Sequence, residues 1–375
     1  MEREGLQKIM RLKGKRILIC PLDWGLGHAS RCVVIINKLI ELGAVPVIGA
    51  DKGPLQLLKA EFPALEFIVF RGKEIRYPSG SGMKIKMMMS LPGIWQSIRA
   101  EHAEIKILIK KYGIDGVISD NRFGLYQNSV PGVYMTHQLN IQSGNRITDY
   151  LLRKVHNFFI SKYNLCMVPD FEGQFSISGN LAHKHYTHRN VRHVGALSRL
   201  NPDAIMRNEF EYDFAVILSG PEPQRTIFET KILNQLEEYK GKVLLIRGIA
   251  DDLSSINSNI TIKKIVNTQG IEMAYRDSEF IICRSGYSSL MDLVKAGKKA
   301  IIVPTPGQTE QEYLANYLSQ KKFFYSETQN EFNLLRALLK LKSGDYSPPD
   351  IAFDDKLDEF FEEWANFFNT SESIK

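Results

Sequence analysis

Short apolar runs alternate with longer stretches of helical periodicity along most of this chain. A first series of runs covers 16–22, 45–49, 67–70, 116–119, 132–136 and 165–168, and a second series covers 214–218, 243–246, 280–283 and 300–303. Strands that are apolar throughout are typical of parallel sheets covered by helices on both faces. The pattern therefore predicts an α/β fold with two doubly wound domains.

The end of the chain has a different pattern. Between 350 and 369, acidic residues alternate at helical spacing with the apolar residues Phe353, Leu357, Phe360, Phe361, Trp364, Phe367 and Phe368. This spacing predicts an amphipathic helix whose aromatic stripe is buried. The polar stretch 197–211 is the predicted joint between the domains, so that they cover 1–197 and 211–345.

Composition excludes several classes of protein. With 375 residues, of which 44% are hydrophobic and 24% charged, the chain has the balance of a soluble globular protein. No apolar run approaches the roughly 20 residues of a membrane span, and the first 16 residues lack the apolar region of a signal peptide. Four cysteines without CxxC spacing indicate reduced core thiols, which favours a cytoplasmic location.

Basic residues outnumber acidic ones in the first 200 residues, whereas the rest of the chain is acidic overall. This excess favours an anionic partner: a phosphorylated substrate, an anionic lipid or a nucleic acid. Nucleic acid is disfavoured because no stacking-aromatic motif accompanies the charge. From Arg71 to Trp95, basic side chains stand beside apolar ones, which suits peripheral contact with a membrane or a cleft for a lipid-linked acceptor.

A glycine-rich loop joins the first strand to the first helix. Its pattern, GxGHxxR, is formed by Gly25, Gly27, His28 and Arg31. An imidazole at the carboxyl edge of a parallel sheet is suited to general-base catalysis, and Asp120 is placed to orient the ring of His28. The spacing differs from the GxGxxG of dinucleotide sites, although Asp51 after the second strand keeps a nicotinamide site as an alternative.

Three polar loops follow strands of the second series. Amides and basic groups in two of them are suited to a diphosphate, and we predict Gly220, Gln224, Arg225, Arg284, Ser285 and Gly286 as its ligands. Asp292, two turns along the next helix, is suited to a ribose diol. The third loop offers amide and carboxylate groups to a hydroxyl-rich sugar, namely Gln308, Glu310, Gln311 and Glu312.

Four segments carry family motifs. Residues 25–31 are similar to a glycine-rich acceptor-side loop with Leu26 in place of a glycine, and 137–140 to an HxQN segment with altered order. Residues 284–292 are similar to an RSG…E donor motif that ends in Asp, and 311–312 to a glutamine pair whose second member is Glu312. With these motifs the chain resembles GT-B glycosyltransferases, most closely the MurG-like group that uses UDP-sugars.

The resemblance implies two facing Rossmann-like domains, with the acceptor on the first, the nucleotide on the second, and the final helix crossing back to the first. It implies inverting transfer of a hexose or N-acetylhexosamine from a UDP-sugar to a lipid-linked or cell-envelope acceptor, with no cofactor and no metal. His28 and Asp120 would be catalytic. The acceptor side would include His137 and Asn140.

Other functions stay open at this stage. The segment GxGHxxRC also resembles the first loop of UDP-sugar hydrolases of nonulosonic acid synthesis, in which water replaces the acceptor. A UDP-sugar 2-epimerase is disfavoured because its acidic and histidine set has no counterpart, and an inactive sugar-nucleotide-binding protein is the alternative without catalysis. We interpret His183, His185, His188 and His193 as a polar surface stretch, since no carboxylate pattern accompanies them.

Overall fold

The computed structural model describes residues 10–23, 26–71, 83–141, 146–183, 189–205, 209–249, 257–351 and 356–368, with the backbone alone at 83–92, 94 and 146. Two compact units divide the chain. The first comprises Met1–Leu197 together with Phe353–Lys375, and the second comprises Ser198–Ala352. Each unit is built on its own parallel sheet.

The first sheet has seven parallel strands in the order β3-β2-β1-β4-β5-β6-β7. These strands are β1 Arg16–Cys20, β2 Val45–Ala50, β3 Glu66–Val69, β4 Gly116–Asp120, β5 Gly132–Met135, β6 Leu165–Val168 and β7 Val191–His193. The second sheet has six, in the order β10-β9-β8-β11-β12-β13. They are β8 Tyr212–Ile217, β9 Val243–Ile246, β10 Ile260–Lys263, β11 Ser278–Cys283, β12 Ala300–Ile302 and β13 Tyr325–Ser326.

Helices alternate with the strands along the chain, as is typical of doubly wound sheets. In the first unit they are α1 Leu26–Glu41, α2 Lys52–Glu61, α3 Met83–Tyr112, α4 Arg146–Ile160 and α5 Asn180–His183. In the second they are α6 Pro202–Ile205, α7 Gln224–Leu236, α8 Thr268–Asp277, α9 Tyr287–Ala296, α10 Thr309–Gln320 and α11 Leu334–Lys342. The last helix, α12 Lys356–Ala365, belongs to the first unit. The α/β class with parallel sheets is thus confirmed.

Helix α12 is buried in the core of the first unit. Trp364 is 0% exposed and lies in one cluster with residues of β1, α1 and β4. Gly116 makes room for it, because a Cβ at that position would lie 3.1 Å from Trp364 and 2.9 Å from Phe368. Arg192 of β7 also holds the helix through two hydrogen bonds of 2.7 Å to Glu363.

The structure differs from the sequence prediction at three kinds of place. Helix α1 begins at Leu26, so His28 and Arg31 are helical rather than in a loop; Gly27 costs little there because first-turn amides have no intrahelical partner. Strands β7, β10 and β13 were missed because edge strands are short and carry polar residues. The segment after Leu197 is folded onto the second unit, with Leu200 buried there.

Candidate active site

Four polar side chains meet at the carboxyl edge of the first sheet. His28 lies in the first turn of α1 and Arg31 one turn later, Asp120 ends β4, and His137 follows β5. Because β1, β4 and β5 are adjacent and parallel, their carboxyl ends open on the same edge. Topology therefore gathers side chains from distant parts of the sequence.

The imidazole of His28 is in hydrogen-bond contact with the carboxylate of Asp120. The distance from Nδ1 to Oδ2 is 2.9 Å. Burial by itself would raise the pKa of Asp120, but the Arg31 guanidinium and the His28 ring outweigh burial and lower it to about 2. An ionised carboxylate only accepts hydrogen bonds, so Nδ1 of His28 carries the hydrogen and the lone pair is on Nε2.

The two members of this pair differ in exposure. The side chain of His28 is 17% exposed, whereas that of Asp120 is fully buried. Burial lowers the pKa of His28, and the Arg31 guanidinium acts in the same direction, while the Asp120 charge opposes both. The ring is therefore neutral at neutral pH, which is the state that a general base requires.

Arg31 is buried behind the pair and binds the same carboxylate. Its Nε lies 2.8 Å from Oδ2 of Asp120, and its Nη2 hydrogen-bonds Oδ1. Its Nη1 donates to Nδ1 of His137 over 3.0 Å. Since Arg31 is 3% exposed, it braces the site from inside, in place of the predicted contact with an acceptor.

Three more acceptor-side predictions concern Asn140, Gly27 and Gly25. Asn140 is buried; its Nδ2 donates to the carbonyl of Asn180, and its amide donates to that of Leu181. It therefore holds the segment after β5 against α5, rather than facing an acceptor as predicted. Gly27 is in α1, and Gly25 lies outside the described residues.

Asn121 is a site residue that sequence reasoning missed. It directly follows Asp120 and has a φ of 56°, a left-handed conformation that asparagine tolerates better than most residues. Its amide donates to the carbonyl of Met135, and its Oδ1 accepts from the hydroxyl of Tyr134 over 3.4 Å. The turn that aims Asp120 is thereby tied to β5. An asparagine directly after a strand is the signal that would have identified it.

Loops of the second unit converge at the carboxyl edge of its sheet. Gly286 caps the N-terminus of α9, and the hydroxyl of Ser285 donates to the carbonyl of Gln311 over 2.9 Å. Gly220 has a φ of 102°, and a Cβ there would lie 3.4 Å from the hydroxyl of Thr305. The structure thus brings the predicted loops after β8, β11 and β12 together.

Thr305 is a second residue that the sequence did not indicate. Its hydroxyl is buried and has no hydrogen-bond partner among the residues that the structure describes. Native proteins rarely leave such a group unsatisfied, so its position between the loops suits a bound polar ligand. Its amide donates to Oε1 of Gln311 over 2.9 Å.

Arg284 is buried among neutral oxygens rather than exposed to a ligand. Its Nη2 donates to the carbonyl of Gln224 over 2.9 Å and to Oε1 of Gln329 over 2.6 Å, and its Nη1 donates to the carbonyl of Pro304 over 3.2 Å. The guanidinium is 1% exposed and lies 4.4 Å from the ring centre of Phe228. The direct phosphate contact predicted for it is therefore replaced by a brace between loops.

The charge of Arg284 nevertheless stays in place. Burial lowers its pKa to about 10, so it is positive at neutral pH. Within the described part of the chain, no carboxylate lies within ion-pair distance of it, and its partners are neutral oxygens. Gln224 adds to the brace, since its Oε1 accepts from Gln329 over 2.9 Å.

Arg225 is also committed within the protein. Its Nε lies 2.5 Å from Glu222, and its Nη1 lies 3.1 Å from Glu229, which Arg247 binds as well. It is 4% exposed. The guanidinium is compensated by these carboxylates, so the prediction of a diphosphate contact does not fit its position.

Asp292 contacts the start of the second unit. Its Oδ1 accepts from the hydroxyl of Ser198 over 2.6 Å. Burial raises the pKa of Asp292 to about 6, although the Ser198 hydrogen bond and the Arg199 charge act against burial. One of the two carboxylate oxygens that were predicted to bind a ribose is therefore already bonded to Ser198.

The sugar-side predictions fall on the start of α10. Gln308 is the N-cap residue of this helix, and its Oε1 accepts from Nε2 of Gln311 over 2.6 Å. Oε1 of Glu312 accepts from the amide of Gly307 over 2.9 Å, and Glu310 is half-buried in the first turn. These contacts give Gln311 and Glu312 defined orientations.

The histidine-rich stretch is not simply a polar surface. His193 is 5% exposed in β7, and its ring stacks on that of His183 with centres 4.5 Å apart. The surface interpretation is wrong for His193 because it lies in an edge strand that the sequence pattern missed; His185 and His188 lie outside the described residues. Among the residues that the structure does describe, no three His, Cys, Asp or Glu groups are placed to hold a metal. No helix among them is long and apolar enough to span a membrane.

Known proteins are similar to this chain in sequence and in structure. Residues 225–349 match the glycosyltransferase family 28 C-terminal domain. A UDP-N-acetylglucosamine--N-acetylmuramyl-(pentapeptide) pyrophosphoryl-undecaprenol N-acetylglucosamine transferase of Alkaliphilus oremlandii is 24% identical over 79% of this chain and 81% of that protein. An uncharacterized glycosyltransferase of Methanosarcina acetivorans is 22% identical over 81% of each.

Solved structures show the same fold. MurG of Acinetobacter baumannii has a TM-score of 0.51 at 13% identity, over 96% of this chain and 99% of that one. The calicheamicin glycosyltransferase CalG4 has a TM-score of 0.60 at 11% identity, over 96% and 95%. These structures confirm the GT-B fold that the resemblance implied.

Proposed function

We propose that this chain, a MurG-like glycosyltransferase of the GT-B fold, moves a hexose or N-acetylhexosamine from a UDP-sugar to a hydroxyl of a lipid-linked or cell-envelope acceptor, with inversion. The observation that carries the proposal is the 2.9 Å contact between His28 and the buried Asp120. A neutral imidazole backed by an ionised carboxylate is the arrangement that activates a hydroxyl group.

The first unit would supply the base. Nε2 of His28 takes the proton of the acceptor hydroxyl while the oxygen attacks the anomeric carbon opposite the UDP group. The new glycosidic bond forms as the bond between the anomeric carbon and the diphosphate oxygen breaks. The electron pair of the broken bond leaves with UDP. The Asp120 carboxylate stabilises the imidazolium that results, as paired carboxylates do in comparable sites.

The second unit would bind the donor. Backbone amides at the N-terminus of α9 and the positive end of this helix face charge that grows on the diphosphate. The uncompensated charge of Arg284 adds a favourable field, and the unpartnered hydroxyl of Thr305 offers a hydrogen bond. These groups supply positive charge to the leaving group, so the proposal assigns no step to a metal ion.

Donor and product analysis test the proposal. Thermal shift against a panel of nucleotide sugars identifies the donor, since a ligand at 100 times its Kd adds about 2.7 kcal/mol to the folded state. Turnover with that donor is then followed as UDP release, and proton NMR of the product assigns its anomeric configuration. Retention of configuration would contradict direct displacement.

A hydrolase would use the same pair of residues with water as the nucleophile. The GxGHxxRC segment keeps this function as a second candidate, because it also resembles the first loop of UDP-sugar hydrolases. The same assay separates the two: release of free sugar at full rate without any acceptor would replace transfer by hydrolysis.

Peripheral contact with an anionic membrane is part of the proposal. Helix α4 exposes apolar side chains at helical spacing, namely Ile147, Leu151, Val155 and Phe158. Lys162 lies over the ring of Phe158 and Lys154 over that of Tyr150, so cations flank the apolar face. Most of the predicted segment 71–95 lies outside the described residues or is described by its backbone alone. Within it, Trp95 is exposed, and its ring centre lies 5.7 Å from that of Phe159 in α4.

Liposome co-sedimentation tests this contact. We expect Leu151→Ser with Phe158→Ser to reduce binding to vesicles that contain phosphatidylglycerol, because both the apolar area and the cation-flanked face are lost. Leu339→Ser in α11 removes a side chain that is 72% exposed in the second unit and is the matched control. Binding of the double variant equal to wild type, or binding independent of anionic lipid, would contradict membrane contact through α4.

A further inference from the structure

Arg31 has a position that the proposed reaction does not yet explain. It comes from α1, is 3% exposed, and hydrogen-bonds both oxygens of Asp120. A third bond of 3.0 Å joins its Nη1 to His137, on the neighbouring strand end. One guanidinium thus connects helix α1 with the ends of two strands, β4 and β5, directly behind His28.

We propose that Arg31 is the positioning residue of the base: it clamps Asp120 from both oxygens, so that the carboxylate holds the His28 ring in one tautomer and one orientation. The inference rests on the proposed function of His28. It concerns a residue that the sequence assigned to the acceptor instead.

The geometry of the clamp supports this role. A terminal carboxylate rotates about a broad torsion unless its oxygens are held. Arg31 holds both oxygens in a two-bond contact, and such forked contacts are directional. Only Oδ2 is shared with the ring, at 2.9 Å from Nδ1 of His28. With the carboxylate fixed, the ring is held with its hydrogen on Nδ1.

Arg31 also sets the charge around the ring. The titratable and charged groups that face His28 are Asp120 from β4, Arg31 from its own helix and His137 from the segment after β5. Nη2 of Arg31 is 2.8 Å from Nδ1 of His28, so the positive charge of the guanidinium opposes protonation of the ring. The pair of Arg31 and Asp120 is close to neutral, and the base stays unprotonated to lower pH than beside a bare carboxylate.

His137 extends the clamp. Because the guanidinium only donates, Nδ1 of His137 accepts this hydrogen bond. His137 is 5% exposed. It therefore holds Nη1 of Arg31 in place, whereas the sequence predicted that it contacts an acceptor.

The test compares Arg31→Met, Arg31→Lys and wild type by kcat/KM against pH, with UDP release as the signal. We expect Arg31→Met to lower kcat by up to about 10²-fold through a misplaced ring, with little change in KM for the donor. The acidic limb should move to higher pH, because the ring loses a repelling cation and keeps the carboxylate. Arg31→Lys restores the charge without the fork, so its limb should lie near that of wild type while kcat stays low.

A double variant tests whether Arg31 acts on His28 through the Asp120 carboxylate. If Arg31 acts through the carboxylate, Arg31→Met should cause little further loss of kcat in an Asp120→Asn background. A full loss in that background, or an unmoved acidic limb in Arg31→Met, would overturn the inference. Arg192→Met is the control, since Arg192 also makes a forked ion pair in the first unit but with Glu363, far along the chain from the site.

Nitrogen NMR of the His28 ring gives a readout that does not require turnover. We expect the Nδ1–H tautomer in wild type and a higher titration midpoint in Arg31→Met. If that shift appears while His28→Ala keeps full turnover, the clamp stands and the proposed base fails. If His28→Ala is inactive and the ring titrates identically in both proteins, the base stands and the clamp fails.

Discussion

The two units each place a buried arginine at the carboxyl edge of a parallel sheet, but the two cations differ in what they contact. Arg31 binds a carboxylate through both oxygens, whereas Arg284 is surrounded by carbonyl and amide oxygens. A buried charge is stable only when it is compensated, and the compensation decides its effect on a ligand. Arg31 therefore orders the pair of Asp120 and His28, whereas Arg284 leaves uncompensated positive charge at the edge of its sheet.

A second contrast involves two aspartates. The pKa of Asp120 is lowered to about 2 because Arg31 and His28 outweigh its burial. The pKa of Asp292 is raised to about 6 because burial outweighs the Ser198 hydrogen bond and the Arg199 charge. Burial acts on both carboxyls, and the directly bonded guanidinium makes the difference. One aspartate is thus a permanent anion, and the other changes charge close to neutral pH.

The largest expected effect comes from removing His28, the residue that Arg31 and Asp120 hold in place in the first unit. His28→Ala should lower kcat by about 10² to 10⁴-fold, because it removes the group that we propose accepts the proton. The measurement is steady-state UDP release with saturating donor and acceptor. His102→Ala is the matched control, since His102 lies on α3 and contacts the carbonyl of Gly124. Turnover of His28→Ala equal to that of the control would remove His28 from the role of base.

The second prediction sharpens the contrast between the aspartates. The folded pKa of Asp292 lies above its unfolded value, so folding takes up a proton and the stability contribution falls as pH rises from about 4 to 6. Asp292→Asn keeps an acceptor for Ser198 and should gain up to about 3 kcal/mol relative to wild type between pH 4 and pH 7. Urea unfolding at both pH values measures this difference.

Asp120→Asn should behave in the opposite way. The folded pKa of Asp120 is depressed, so its contribution is present above the unfolded pKa and is lost as pH falls from about 4 towards 2. The advantage of wild type over Asp120→Asn should therefore shrink below pH 4. Equal pH dependence of the two variants would contradict the assignment of opposite environments.

The third and smallest effect concerns Arg284. Arg284→Met should weaken UDP binding by about tenfold, about 1.4 kcal/mol, because the loops proposed to bind the diphosphate lose the positive charge beneath them. Calorimetric titration with UDP at low and high salt measures it, and the wild-type advantage should shrink at high salt. Arg225→Met is the control, since Glu222 and Glu229 already compensate that charge. An equal loss of affinity in both variants would contradict the distinction between them.

Much of the architecture was predictable from the chain alone. The central strands are apolar over four to six residues because helices cover both faces of the sheet, and such runs are visible without a structure. Edge strands such as β7 and β13 escape the same criterion because they are short and partly polar. The error at His193 follows directly from this, since its strand was not predicted.

The candidate site was predictable in position but only partly in contacts. A histidine after the first strand and an aspartate at the end of a neighbouring strand must come to one edge of a parallel sheet, so His28 and Asp120 could be paired in advance. Arg31, Asn140, Arg225 and Arg284 were expected to face ligands because polar residues near such edges often do. All four are instead committed to groups of the protein itself.

By itself the sequence determined the α/β class, the family resemblance, the aromatic final helix and the strand edges that carry polar loops. These depend on periodicity and local motifs, which a linear chain records. The tertiary structure alone decided which cation meets a carboxylate and which meets carbonyl oxygens. That choice depends on side chains far apart in sequence coming within 3 Å of one another, as Arg31 and Asp120 do, and no local pattern encodes such a distance.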